Sequence, residues 1–150
     1  MIDVFKSLFR PDAGPRHEVP PQIAVAALLV DAARADGVYA PEERDAVGKL
    51  LGSIFALSPE DARALRAQGE AAQADAPDIV RFTRVIKFAL EEEQRIQLIE
   101  ALWSVVLVDE QRDPNEDALL RRLAPLIAVS DHDSAGARHR VLARLTAKNG

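Results

Sequence analysis

Apolar residues recur every three or four positions along most of the chain, which is the spacing of one face of an α-helix. The clearest stripe is formed by Ile79, Phe82, Ile86 and Leu90. Ala, Leu, Arg and Glu are abundant, β-branched residues rarely cluster, and we find no convincing strand. The pattern therefore predicts an all-α protein, a compact bundle of seven to eight short helices.

Proline and serine positions indicate where these helices begin. Proline suits the first turn of a helix, where its missing N–H would have no partner, and serine suits the N-cap. Ser58 and Ser130 are the expected caps of two helices. The apolar run up to Val108 nearly encircles its helix, so we expect that helix at the centre. The predicted helices begin near residues 2, 21, 41, 59, 78, 91, 114 and 130.

The N-terminal segment differs in composition from the rest. Residues 2–9 have apolar residues at helical spacing, and residues 10–20 contain three of the nine prolines. We divide the chain into residues 1–20, a short amphipathic helix with a proline-rich linker, and residues 21–150, a helical domain. The short helix either packs on its own bundle or contacts a membrane surface or a partner, and it is too short to bind a membrane strongly by itself.

One helix-loop-helix pattern occurs twice. Residues 36–43 and 109–116 each carry an Asp, a Pro five residues later and a Glu seven residues later. Flanking positions match at an offset of 73, as for Leu50 and Leu123, and at an offset of 72 after the next helix, as for Ser58 and Ser130. The matching predicts an internal, pseudo-two-fold repeat.

Composition narrows the classes of function. The chain has 24 acidic and 19 basic residues, a net charge of −5 and no cysteine. Disulfides, thiolate metal sites and a cysteine nucleophile are therefore excluded. An acidic surface repels nucleic-acid phosphates, so we expect no nucleic-acid partner. No apolar run approaches the roughly 20 residues of a membrane-spanning helix, and we expect a soluble, cytoplasmic protein.

The acidic residues of the two loops have two interpretations. In the structural one they shape the turns: Glu43 folds back as in a capping box, and Asp113 caps the later helix with Glu116 as its partner. In the functional one, paired carboxylates bind a hard divalent cation such as Ca²⁺ or Mg²⁺, which prefers oxygen ligands. The candidate ligands are Asp36, Glu43, Asp109 and Glu116. Neither loop has the twelve-residue spacing of an EF-hand, and the spacing alone leaves both interpretations open.

Other residues give little indication of catalysis. The three histidines, at 17, 132 and 139, lack the spacing of a zinc site. No serine lies in a nucleophile elbow, and glycine-rich phosphate loops and dinucleotide fingerprints are absent. The loop acids lie in polar surroundings that would not raise a pKa for general-acid work. We expect no catalytic residues, no organic cofactor and no identifiable small-molecule substrate; the alternative is a metal-assisted hydrolase that uses the same acids.

Two segments resemble a known family. They are LLVDAARADGVYAPEERDAVGKLL and FTRVIKFALEEEQRIQLIEALWSVVLVDEQRDPNEDALLRRLAPLIAVS, followed by ARHRVL. They resemble the TerB-like family, named for bacterial tellurite-resistance proteins, chiefly through Ala-Asp-Gly with its downstream Glu and the Leu-Trp before the second loop. The resemblance implies an all-helical fold with internal pseudo-symmetry. It also implies a role with protein partners in stress-response complexes at the inner face of the bacterial membrane.

The resemblance bears on the acidic loops as well. It implies that Asp36, Glu43, Asp109 and Glu116 are ligands of a divalent cation. The second loop departs from the family pattern, because Asp109-Glu110 stands where the first loop has Asp-Gly. We therefore expect a non-catalytic module that binds a cation, serves as an acidic interaction scaffold, or does both.

Overall fold

A computed structural model describes residues 19–35, 37–76, 78–108 and 114–149, without the side chains of 108, 114–117 and 149. Within these ranges the chain forms seven α-helices and no strand, which confirms the all-α prediction. They are α1 (Pro21–Ala33), α2 (Pro41–Phe55), α3 (Pro59–Asp75), α4 (Ile79–Ala89), α5 (Glu92–Val108), α6 (Pro114–Leu126) and α7 (Asp131–Asn149). The helix predicted over residues 2–9 lies outside the described residues. The division of the chain at residue 20 stays a prediction.

The first of these helices, α1, lies at the centre of the bundle. Every residue from Ala24 to Val30 is fully buried, and α1 packs against α2, α3, α4 and α5. The central position predicted for α5 is only partly correct: its second half is largely buried, with Leu98, Ile99 and Leu102 inaccessible to solvent. Its first turn, in contrast, is exposed. Burial on all sides explains why α1 consists almost entirely of Ala, Val and Leu after Ile23.

Helices α1 and α3 approach each other closely at Gly69. A Cβ atom placed on Gly69 would lie 2.4 Å from the Cβ of Ala26 and 2.7 Å from its carbonyl carbon. It would also lie 2.9 Å from the backbone nitrogen of Ala27. Real Cβ atoms do not approach other atoms so closely, so this crossing requires glycine on one helix and small residues on the other.

Two ion pairs join α7 to α5. Glu100 accepts hydrogen bonds from Arg140 Nε and from an Arg144 terminal nitrogen, each at 2.7 Å. Burial alone would raise the pKa of Glu100, but the two arginines, by hydrogen bonding and by charge, outweigh it and hold this pKa below its ordinary value. Glu100 is thus ionised at neutral pH and stabilises the packing of the last helix.

Two helices end in the same unusual way. Ala56 after α2 and Ala128 after α6 have positive φ angles of 55° and 60°, and they are 72 residues apart. Such left-handed residues commonly close helices through hydrogen bonds back to the last turn. Here these bonds run from the Leu57 N–H to the Gly52 carbonyl (3.0 Å) and from the Val129 N–H to the Ala124 carbonyl (2.8 Å).

The next helix then begins with the predicted serine cap in both places. Ser58 Oγ accepts from the Asp61 N–H at 3.1 Å, and Ser130 Oγ accepts from the Asp133 N–H at 3.0 Å. Each bond satisfies one of the free N–H groups at a helix start. The repeat as a whole stays a prediction, because residues 109–113 of the second loop lie outside the described ranges.

Candidate functional site

Only one of the four predicted cation ligands has a described side chain. Asp36 and Asp109 lie outside the described residues, and of Glu116 the structure gives only the backbone, in the first turn of α6. The pairing of Asp36 with Glu43 and of Asp109 with Glu116 therefore stays a prediction. Among the side chains that are described, no three acidic or histidine groups come together as a metal cluster.

The one described ligand, Glu43, caps its own helix. Its Oε1 accepts a hydrogen bond from the Ala40 N–H at 2.8 Å. Ala40 has no side-chain acceptor, so the Glu43 N–H donates to the Ala40 carbonyl oxygen at 2.9 Å. The turn-shaping role predicted for Glu43 is confirmed, and the bond places a half-buried carboxylate beside the loop that carries Asp36.

A tyrosine anchors this first loop, which sequence reasoning missed. The Tyr39 hydroxyl donates to Glu70 Oε2 on α3 at 2.6 Å. The Arg34 guanidinium lies 4.8 Å from the centre of the Tyr39 ring, within reach of a cation–π interaction. Arg66 forms an ion pair with the same Glu70 oxygen at 3.3 Å. That Tyr39 is the only tyrosine and lies in a polar loop was the one available signal.

Further contacts hold the end of α1 against α3. An Arg34 terminal nitrogen donates to Gln73 Oε1, and Gln73 Nε2 donates to Asp31 Oδ1 at 3.0 Å. Between Arg34 and Tyr39 the chain reverses at Gly37, whose φ of +87° suits glycine. The loop is thus held from both ends on the surface of α3.

Tyr39 should ionise only at unusually high pH. Burial, followed by the hydrogen bond and negative charge of Glu70, raises the pKa of Tyr39 above its ordinary 10.0. A raised pKa means that the tyrosine stabilises the fold fully below pH 10 and that this contribution is lost as the pH rises further. Absorbance of tyrosinate measures this directly, since no other tyrosine is present.

The matched variant for this titration is Glu70→Gln, which keeps an acceptor but removes the charge. We expect its tyrosinate midpoint to move down towards 10, while the wild-type midpoint lies above it. Stability of Tyr39→Phe should also fall less than that of the wild type between neutral and strongly alkaline pH. A wild-type midpoint at or below the ordinary value would show that Tyr39 is not held by Glu70 in solution.

One cavity lies beside helices α2 and α3, and another beside helices α6 and α7. The cavity between α2 and α3, of about 400 Å³, is lined by Gly48, Arg63 and Arg66 among others. The cavity beside α6 and α7, of about 670 Å³, also includes Trp103 from α5 and the arginines at 121 and 138. Both are lined more by arginine than by the acids predicted to be functional.

The fold and loop define an all-α module with an anchored acidic loop at the end of its central helix. The family model described as Tellurite resistance protein TerB matches residues 22–139 of this chain. The chain therefore belongs to the TerB family, which confirms the resemblance seen in its sequence. Comparison with curated proteins and with solved structures gave no match. None of the described helices is both long and apolar enough to cross a membrane.

Proposed function

We propose that this protein is a non-catalytic TerB module that binds a divalent cation, Ca²⁺ or Mg²⁺, at its first acidic loop. It serves at the same time as an acidic scaffold for protein partners in a bacterial stress response of the tellurite-resistance type. The observation that carries the proposal is the position of Glu43, whose carboxylate is fixed beside an anchored loop. Membership of the TerB family supports a cytoplasmic location, in a complex at the inner face of the membrane.

The geometry of Glu43 is compatible with a ligand as well as a cap. A carboxylate has two oxygens and about four acceptor positions, and the cap uses one bond to Oε1. The loop is held by Tyr39 and Arg34, so its backbone carbonyls are fixed in place before any cation binds. Preorganisation of this kind reduces the ordering cost of binding. Asp36, which follows α1 by three residues in the sequence, is the second proposed ligand.

The negative end of a helix favours a cation at the same place. Residue 36 follows α1, whose last carbonyls give that end partial negative charge. A carboxylate there is disfavoured unless a positive charge compensates it. A bound divalent cation would supply that charge, so Asp36 and the helix end would both contribute to its stabilisation.

The second loop is proposed to bind in the same way through Asp109 and Glu116. Its sequence, Asp109-Glu110, lacks the glycine that allows the reversal at Gly37. We therefore expect the first loop to bind more tightly than the second. We therefore expect two cation sites per chain, one strong and one weaker.

Calorimetric titration with Ca²⁺, Mg²⁺ and Mn²⁺ tests the proposal. Glu43→Gln is the informative variant, because glutamine keeps an oxygen for the Ala40 cap while removing the charge. We expect its affinity to fall at least about tenfold, which corresponds to about 1.4 kcal/mol. The matched control is Glu42→Gln, which alters the exposed neighbouring acid and should leave affinity unchanged.

Four outcomes would contradict the proposal. Absence of heat for all three ions would exclude cation binding, and equal loss in Glu42→Gln would indicate general charge rather than a site. Binding that survives Asp36→Asn and Glu43→Gln together would assign other ligands. Metal-dependent turnover of phosphoesters that the same double variant abolishes would replace the non-catalytic module by the hydrolase.

A further inference from the structure

The cavity beside α6 and α7 contains two arginines that have no charge partner among the described side chains. Arg138 lies with its guanidinium carbon 5.5 Å from the centre of the Trp103 ring. Arg121 projects from α6 into the same cavity. Among the residues that the structure describes, neither guanidinium has a hydrogen bond or an ion pair. Arginine is the side chain best suited to hold an anion through paired N–H groups.

The surroundings hold one of these arginines in position. The Trp103 indole N–H donates to Ser134 Oγ on α7 at 3.1 Å, and both side chains are buried. The indole ring is therefore a fixed platform on which the Arg138 guanidinium rests. A guanidinium that lies on a ring face leaves its N–H edges available to a ligand.

Comparison with the cavity between α2 and α3 shows what is particular to this one. At the offset of 72, Arg138 corresponds to Arg66, whose charge is neutralised by Glu70 at 3.3 Å. The position that corresponds to Glu70 is Leu142, which carries no charge. An arginine in the second cavity has thus lost the carboxylate that its counterpart has in the first.

A second difference is the position of the positive charge in each cavity. At the offset of 73, Arg121 corresponds to Gly48, over which Arg66 lies with a terminal nitrogen 3.8 Å from an added Cβ. The second cavity therefore has an arginine where the first has no side chain, whereas Ala135 stands where the first has Arg63. One carboxylate, Asp131, also lines it, so the two arginines outnumber the acid.

We propose that the cavity formed by Trp103, Arg121, Ser134 and Arg138 binds a small organic anion through its phosphate or carboxylate group. Arg121 and Arg138 bind the anionic group, and Trp103 positions Arg138. The volume of about 670 Å³ falls within the range of small-molecule sites, roughly 300–1,000 Å³. It exceeds what an inorganic ion needs, and the apolar lining from Ala124, Pro125 and Ala135 accommodates the rest of the molecule.

This site is independent of the acidic loops, so metal-free protein is used to test it. Trp103 is the only tryptophan, and its indole N–H gives one signal in a proton–nitrogen correlation spectrum. We would titrate this signal with phenyl phosphate, benzoate, inorganic phosphate and, as a neutral control, benzyl alcohol. We expect saturable shifts with phenyl phosphate or benzoate, weaker binding of inorganic phosphate and no saturable shift with benzyl alcohol. The preferred aromatic anion distinguishes a phosphate from a carboxylate ligand.

Four variants of the full chain locate the binding. Arg121→Gln and Arg138→Gln should each lower the affinity for the preferred anion about tenfold, which is the effect of losing one charge-assisted hydrogen bond. Asp131→Asn should raise the affinity for this anion, because the substitution removes the negative charge that opposes binding. Arg122→Gln alters the neighbouring exposed arginine of α6, which does not line the cavity, and should leave the affinity unchanged.

Several results would overturn the proposal. One is the absence of a saturable shift with all three anions, and another is an equal shift with benzyl alcohol. Equal weakening in Arg122→Gln would assign the binding to general surface charge. Inorganic phosphate that binds as tightly as phenyl phosphate would also contradict an organic ligand. Thermal melting of each variant identifies loss of folding, and Asp131→Asn then keeps the test decisive, since tighter binding cannot result from a damaged fold.

Discussion

Phe82→Ala should lower the free energy of unfolding by about 3–5 kcal/mol, the usual cost of removing a buried phenylalanine. Phe82 is 1% exposed and belongs to the central apolar cluster. The substitution removes apolar surface from the core and leaves a cavity that the packed helices fill only in part. For a chain of this size we expect the melting temperature to fall by about 10 °C. Urea denaturation followed by circular dichroism gives the free energy.

The matched control lies on the same helix. Phe88 is 79% exposed, and Phe88→Ala should change stability by less than about 0.5 kcal/mol. The pair isolates burial, because the residue type, the substitution and the helix are the same. A loss for Phe88→Ala comparable to that for Phe82→Ala would mean that the exposed face of α4 is covered in solution.

The contrast between these phenylalanines was predictable from spacing. Phe82 lies on the stripe of apolar residues three and four apart, and Phe88 does not. A helix rotates by a fixed angle per residue, so the stripe defines the buried face without any knowledge of the partner helices. The starts of the helices were predictable for a similar reason, since proline and serine at a first turn act through the local backbone.

The centre of the bundle was harder to predict. The apolar pattern favoured α5, yet α1 is the more completely buried. Five of its 13 residues are alanine, and alanine indicates burial less strongly than the large apolar residues of α5 such as Trp103. Which helix is surrounded depends on tertiary packing, and one contact of that packing is the close approach of α1 to Gly69, which is far from α1 in the sequence.

The candidate sites show the same contrast between local contacts, which were predictable, and long-range contacts, which were not. The capping bond of Glu43 spans three residues, and its spacing predicted it. The contacts of Tyr39 with Glu70 and of Trp103 with Ser134 each span 31 residues. No local pattern specifies such pairs, so the acidic loop was predictable from the sequence, but its anchor and the arginine-lined cavity were not.

Gly69→Ala should destabilise the protein by about 3 kcal/mol, although alanine is the better helix former. Its added Cβ would lie 2.4 Å from the Cβ of Ala26 and within 3 Å of two backbone atoms of α1. A flexible side chain could move away, but a backbone can yield only if the two helices separate. Overpacking of this kind typically costs 1–3 kcal/mol and occasionally more, and separation of α1 from α3 also weakens the core.

Gly48→Ala and Gly136→Ala provide the matched controls. Each is a helical glycine, and the nearest atom to the added Cβ is the tip of an arginine, at 3.8 Å and 3.6 Å. Both substitutions should therefore raise the free energy of unfolding by about 0.5–1 kcal/mol, from helix propensity alone. The opposite signs within one substitution type separate packing from propensity. If Gly69→Ala were also stabilising in urea denaturation, α1 and α3 would have to lie farther apart in solution than the structure places them.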